Sequence, residues 1–480
     1  MQPNAPSAMN RRRFLTGTSA LAFLAACSNS DDTGESAPSP TQTPQSSTAT
    51  AAPTATPVPP ATAAEALAAP GSPGLVDEAF YQQRVDSYLS YATESENPAS
   101  PSGIGLHLTA AHRDPTYTWD IDAVSVDSLQ PVLTKIDEWR DTRDFDFMYL
   151  NWVLALGQGG TEMTTIDPAV IDAIHARTLA NRYRYDDPLP DDRIDHLWYW
   201  SENHRLITLA NEHLAGELFP DEVFPITGLS GAEHAARAKP EILEWIDERG
   251  RFGFFEWHAN VYMAKNITPL LMLCELSEDT ELVRAAAVGL DACLLDMATH
   301  YHQGAYVAPH GRTYKKDKTT ARDEDTFDVA KLLFDETPGG YESPTSTTAT
   351  YFCAAQRYRP PQLVIGIARD NSVTVTRERH GIHADASEPI TDDPVAPFGY
   401  DYDDEGETNP NLMRVTIGYG IGADADVFVS GGTGHFGWAD GDGFVRSIDG
   451  QLEYVLDTGY SDNIGKMAPG ATGLYVLGET

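Results

Sequence analysis

The sequence predicts an α+β multidomain protein, with a helical body over residues 75–350 and a β-rich, antiparallel region over 360–480. Three observations carry this. Between about 127 and 301 apolar residues recur at helical spacing in segments broken by Pro, Gly or short polar turns. From Gln362 the apolar spacing shifts toward alternation. A chain of 480 residues with 41% hydrophobic content is long enough to bury cores for two or three domains.

Residues 1–27 read as a targeting segment and stand outside the fold. Asn10-Arg11-Arg12-Arg13-Phe14-Leu15 resembles a twin-arginine export signature, and the apolar run that follows is too short to stay as a membrane span. Leu24-Ala25-Ala26-Cys27 resembles a bacterial lipobox, so Cys27 is the expected lipidation site and the chain is expected at the cell surface or periplasmic side of the membrane, held by lipid alone. Residues 28–74 are Ser, Thr, Pro, Ala and Gly with almost no large apolar side chain, a composition that cannot fold and suits a spacer.

Past Leu75 a helix is predicted over 76–93, with Phe80, Tyr81, Val85, Tyr88, Leu89 and Tyr91 as core candidates, and 103–126 reads as irregular. Helices follow at about 127–141, 144–156, 168–182, 201–218, 231–248, 258–276 and 279–301. Ser201 is an N-cap candidate. Residues 304–350 read as a long loop with some helix at 326–334. Strands are expected at Leu363–Ile367, Val373–Val375, Val415–Ile417, Val427–Val429, Phe444–Val445 and Tyr454–Leu456. The acidic run Asp401–Glu407 lacks the ligand alternation of a calcium loop and reads as a solvated face.

Charge narrows the partners. With 33 basic against 71 acidic residues the chain carries −38, a surface that repels nucleic acid and anionic lipid headgroups. With Cys27 assigned to lipid, Cys274, Cys293 and Cys353 form an odd set without metal-ligand spacing. Buried free thiols are the first reading and one disulfide the second; no metal or other cofactor is expected.

The chemistry-bearing residues concentrate between Trp198 and Tyr262. Trp198-Tyr199-Trp200-Ser201-Glu202-Asn203-His204 opens one predicted helix, and Phe254-Phe255-Glu256-Trp257-His258-Ala259-Asn260-Val261-Tyr262 opens another. Flat aromatic faces beside Glu, Asn, His and Tyr suit a sugar-binding cleft, with Trp198, Trp200 and Trp257 as platforms. The plainer reading is interhelical packing with polar caps. His258 and Tyr262, four apart, share a face if the helix runs from Trp257. Asn203 and His204 point about 100° apart, so one of them is expected to be structural. A third cluster, His310 to Lys318, holds Arg312, Lys315 and Lys316 in an otherwise acidic chain and reads as an anionic subsite or as a basic loop paired with acids.

These clusters, on helices followed by strands, resemble the (α/α)-toroid polysaccharide lyases. The resemblance implies a helical toroid, a β-sheet region longer than the one following residue 360, and β-elimination on a uronate-containing polysaccharide or oligosaccharide. It implies Asn203 as carboxylate neutraliser, His258 or His204 as base, Tyr262 as acid, and Arg312 and Glu256 as support. Neutralising the carboxylate is what brings an α-proton within reach of His or Tyr. Two other readings stay open: an inverting glycoside hydrolase using Glu202 and Glu256 across a water, and a non-catalytic glycan-binding lipoprotein.

Overall fold

The computed structural model describes residues 62–370 except 159, 191–194, 198, 200, 255, 257, 303, 309, 311, 312, 314–316, 318, 319 and 338, together with Ser372 and two strands beyond 440. The described part is mostly helical: α1 (Glu78–Ser95), α2 (Pro101–Arg113), α3 (Val126–Asp137), α4 (Arg143–Gly157), α5 (Pro168–Ala180), α6 (Glu202–Leu218), α7 (Gly231–Phe252), α8 (Tyr262–Leu276), α9 (Thr280–His300), α10 (Phe327–Phe334), α11 (Thr347–Ala354) and α12 (Gln362–Arg369). A two-residue strand pair, β1 (Tyr301–His302) with β2 (Ala305–Tyr306), follows α9 directly. One apolar cluster extends from Val76 through α1–α9 to Ala368. Among the described residues no helix is long and apolar enough to cross a membrane. The fold begins ahead of Leu75: Ala63 is buried, and Arg284 donates to the Ala66 carbonyl.

α6 organises the body. Ser201 caps it by accepting from the His204 amide, and every residue from Glu202 to Gly216 is buried. A helix buried on all sides must find a partner for each polar group it carries, because unsatisfied burial costs several kcal/mol per group, roughly 2–7. Its charged and amide side chains therefore reach outward to α4, α7, α8 and the segment before α8. α7 comes close enough that a methyl group on Gly216 would run into the Gly231 carbonyl and Ala235, so glycine is required there.

Four expectations are corrected. Residues 101–113 form α2, not irregular chain. Pro101 sits in its first turn and Ser100 accepts from Gly103 N. Gly103 to Ala111 are all buried, so there is no polar stripe to give the helical period away. Residues 347–354 add α11 inside the expected loop. Leu363–Ile367 is helical, not a strand: Val364, Ile365 and Ala368 bury one face of α12, and packing against α9 outweighs the β-branched preference. Finally, the helix expected from 258 begins at Tyr262, so His258 and Tyr262 do not share a helical face.

Of the expected β region, β3 (Gly443–Ile448) and β4 (Gln451–Leu456) pair antiparallel with Phe444 opposite Val455. The strands expected at 373–375, 415–417 and 427–429 lie outside the described residues, as do Cys27, the spacer up to 61 and the 401–407 run. Cys274, Cys293 and Cys353 are buried free thiols, and burial pushes all three pKa values up, as inert core cysteines require.

Candidate functional site

The first turns of α4, α6 and α8 converge. Phe145, in the first turn of α4, stacks on His204 of α6 with ring centroids 4.9 Å apart. The same ring packs against the Ala259, Val261 and Tyr262 cluster at the start of α8, and Lys265, one turn on, holds its ammonium 5.3 Å from the Phe145 centroid. Helix starts carry free N–H groups and a positive dipole end, which favour the carboxylates Asp144 and Glu202 found in these turns.

Glu202, Asn203, His204 and Glu256 are each buried with a specific partner. Asn203 donates its amide to both oxygens of Glu256, at 2.9 and 2.8 Å, joining the two helix starts directly. His204 holds Asp144 Oδ2 at 2.7 Å through Nδ1. The two neighbours on α6 thus diverge, as the helical angle requires: Asn203 turns to the segment before α8, His204 to α4. Glu202 accepts from Asn266 of α8 at 2.9 Å and lies 3.5 Å from Arg249, which shares Glu248 with Arg205. Tyr262 is 7% exposed and His204 6%, so both stay at the edge of the core.

The amide geometry departs from what the resemblance implies. Asn203 commits its N–H groups to Glu256, and its Oδ1 is buried without a hydrogen bond. Asn260 and Asn266 repeat the pattern: each donates to a glutamate, Glu324 at 3.1 Å and Glu202 at 2.9 Å, and each leaves Oδ1 buried and unbonded. Buried acceptors of this kind are uncommon among folded proteins.

His258 lies in a second group. Its backbone takes φ 44°, a left-handed value rare for residues with a Cβ, and the His310 ring N–H holds its carbonyl. Its Nδ1 lies 3.1 and 3.3 Å from the two oxygens of Asp296, and Tyr306 donates to Asp296 Oδ2 at 2.6 Å. His300, one turn beyond Asp296 on α9, stacks on His258 at 4.1 Å. Burial pushes the His310 imidazole down to about 4, so it is neutral at physiological pH. Ligand atoms of His258, Asp296 and His300 lie within 4.8 Å of one another, which differs from the sequence expectation of no metal-ligand set.

Comparison with protein-family models, curated proteins and solved structures finds no match to this chain. The reading of the site therefore rests on its geometry.

Trp198, Trp200, Trp257, Arg312, Lys315 and Lys316 lie outside the described residues. Asp144, Lys265, Asn266, Asp296 and His300 were missed by sequence reasoning. Lys265 stands three residues after Tyr262 and Asp296 four before His300, spacings that place each pair on one helical face and were available to be noticed. Asp144 gives no local sign, since it meets His204 across 60 residues.

Proposed function

We propose that this chain is a carbohydrate-active protein, a polysaccharide lyase cleaving a uronate-containing glycan by β-elimination, on a helical body of (α/α)-toroid type. The observation that carries the reading is the set gathered around Phe145: a histidine oriented by a carboxylate, a tyrosine and a lysine. His204, with Nδ1 tied to Asp144, presents Nε2 as the base that takes the C5 proton. Tyr262 gives its proton to the leaving oxygen as the C4–O bond breaks, which leaves a C4–C5 double bond conjugated with the carboxylate. Lys265, 26% exposed and loosely paired with Asp325 at 3.5 Å, supplies the charge that stabilises the enolate, the role that Asn203 cannot fill while it donates to Glu256.

The test is incubation with acidic and neutral polysaccharides, following the ultraviolet absorbance of unsaturated uronate. Wild type should produce the chromophore, and Tyr262→Phe should lower turnover about 100- to 10,000-fold while binding persists. New reducing ends without absorbance would favour hydrolysis by Glu202 and Glu256, and saturable binding without products would favour a glycan-binding protein; either result rejects the lyase. The same reading has the protein exported through its twin arginines and anchored by lipid on Cys27. Cys27→Ala should move it out of the membrane fraction, and retention without detectable lipid would refute the anchor.

A further inference from the structure

The second histidine group is spaced differently from the two other pairs whose members are both buried, although His213 Nε2 also stands 3.2 Å from the partly exposed Glu217. Two other histidine–carboxylate pairs are buried, His204 with Asp144 and His234 with Glu212, and both have Nδ1 2.7 Å from one oxygen, the length of a charge-assisted hydrogen bond. His258 Nδ1 instead lies 3.1 Å from one oxygen of Asp296 and 3.3 Å from the other. That is close to the separation of two ligands on one tetrahedral ion, about 3.4 Å for bonds of roughly 2.1 Å.

The surroundings are those of a ligand set. Asp296 and His300 project from one face of the last turn of α9. His300 donates Nδ1–H to the Asp296 carbonyl at 3.0 Å, which fixes the tautomer and turns Nε2 into the ligand atom, the outer-shell arrangement common for metal-bound histidine. Tyr306 donates to Asp296 Oδ2 at 2.6 Å, which fixes the carboxylate, and its hydroxyl lies 3.4 Å from His258 Nδ1. His258 comes from the segment before α8, in a left-handed conformation whose carbonyl is held by the His310 ring.

We propose that His258, Asp296 and His300 bind a divalent transition-metal ion, Zn²⁺ by the character of two imidazoles and one carboxylate. The ion ties the loop carrying Glu256 and Asn260 to the end of α9, and His258 is then a metal ligand and not a base. His300 is only half-buried, which gives the ion a path from solvent. Asp296 supplies one negative charge against the two positive charges of the ion.

The experiment is calorimetric titration of Zn²⁺ into the full-length protein after chelator treatment, with Co²⁺ as a spectroscopic stand-in. Wild type should take up one equivalent of Zn²⁺, and the Co²⁺ form should show the intense visible d–d bands of a four-coordinate site. His300→Ala, at a half-buried helix end that tolerates truncation, should weaken binding at least 100-fold. Tyr306→Phe, which removes only the hydrogen bond to Asp296, should weaken it about tenfold. Absence of saturable binding to wild type overturns the proposal whatever the variants do, and so does wild-type affinity in both His300→Ala and Asp296→Asn. Neither readout uses turnover, so failure of the lyase reading leaves this result standing.

Discussion

Two histidine–aspartate pairs sit in one helical body and differ in how the imidazole meets the carboxylate. At the His204 pair a single 2.7 Å contact joins Nδ1 to Asp144 Oδ2, and Asp144 Oδ1 is buried without a hydrogen bond. A lone short bond of this kind fixes a tautomer and aims the far nitrogen, which suits proton transfer. At the His258 pair the imidazole stands off both oxygens of Asp296, a tyrosine hydroxyl occupies one of them, and a second histidine joins from the same helix turn. Here the ligand atoms of His258, Asp296 and His300 lie within 4.8 Å of one another. On the two proposals above, the same two residue types serve as a base in one place and as metal ligands in the other, and what distinguishes them is contact distance and the number of converging groups.

The strongest way to break the comparison is to neutralise each aspartate in turn. Asp144→Asn keeps the shape but exchanges an acceptor for a group that favours the wrong His204 tautomer. Elimination should fall by about 100- to 10,000-fold with substrate binding retained. Asp296→Asn should abolish metal uptake and change elimination less than about tenfold. Steady-state assays beside metal titration separate the two, and a large loss of turnover in Asp296→Asn with none in Asp144→Asn would exchange the assignments.

Much of the helical body was legible because amphipathic stripes and caps are local signals: the expected 168–182 and 279–301 segments match α5 and α9 within two residues at each end. Two helices stayed hidden, each for its own reason. α2 has no exposed stripe to set its period, and α12 carries a β-branched run whose conformation is decided by α9. In the candidate site the sequence pointed to Asn203 and Glu256, which do meet, because polar residues at two helix starts are conspicuous. It gave no sign of Asp144 or Asp296 as partners, since pairing across 60 or 38 residues is a property of the packing. The turn that puts His258 at φ 44° also interrupts the helical spacing on which its pairing with Tyr262 depended.

A smaller effect sharpens the comparison from the His204 side alone. Asp146 lies two residues beyond Asp144 on α4 with its side chain 12% exposed, and desolvation pushes its carboxyl up to about 7, offset in part by Lys135 at 3.4 Å and reinforced by Asp144 and Asp141. An unfolded aspartate titrates near 3.9, so between about pH 4 and 7 the folded chain holds a proton that the unfolded chain has released. This raised value means that the contribution to stability is fully present below about pH 4 and is lost as pH rises through 7. Asp291, bonded by the Tyr358 hydroxyl at 2.6 Å and also raised to about 7, adds the same trend to wild type and variant alike and cancels in their difference. Asp146→Asn removes the titration without removing the bulk. Between pH 5 and 8 the wild type should therefore lose on the order of 2 kcal/mol more than Asp146→Asn, after allowing for its partial exposure. Urea unfolding of both proteins at the two pH values gives the number. Equal losses would mean that Asp146 is solvated in both states and that the carboxylates around His204 are not held in a desolvated cluster.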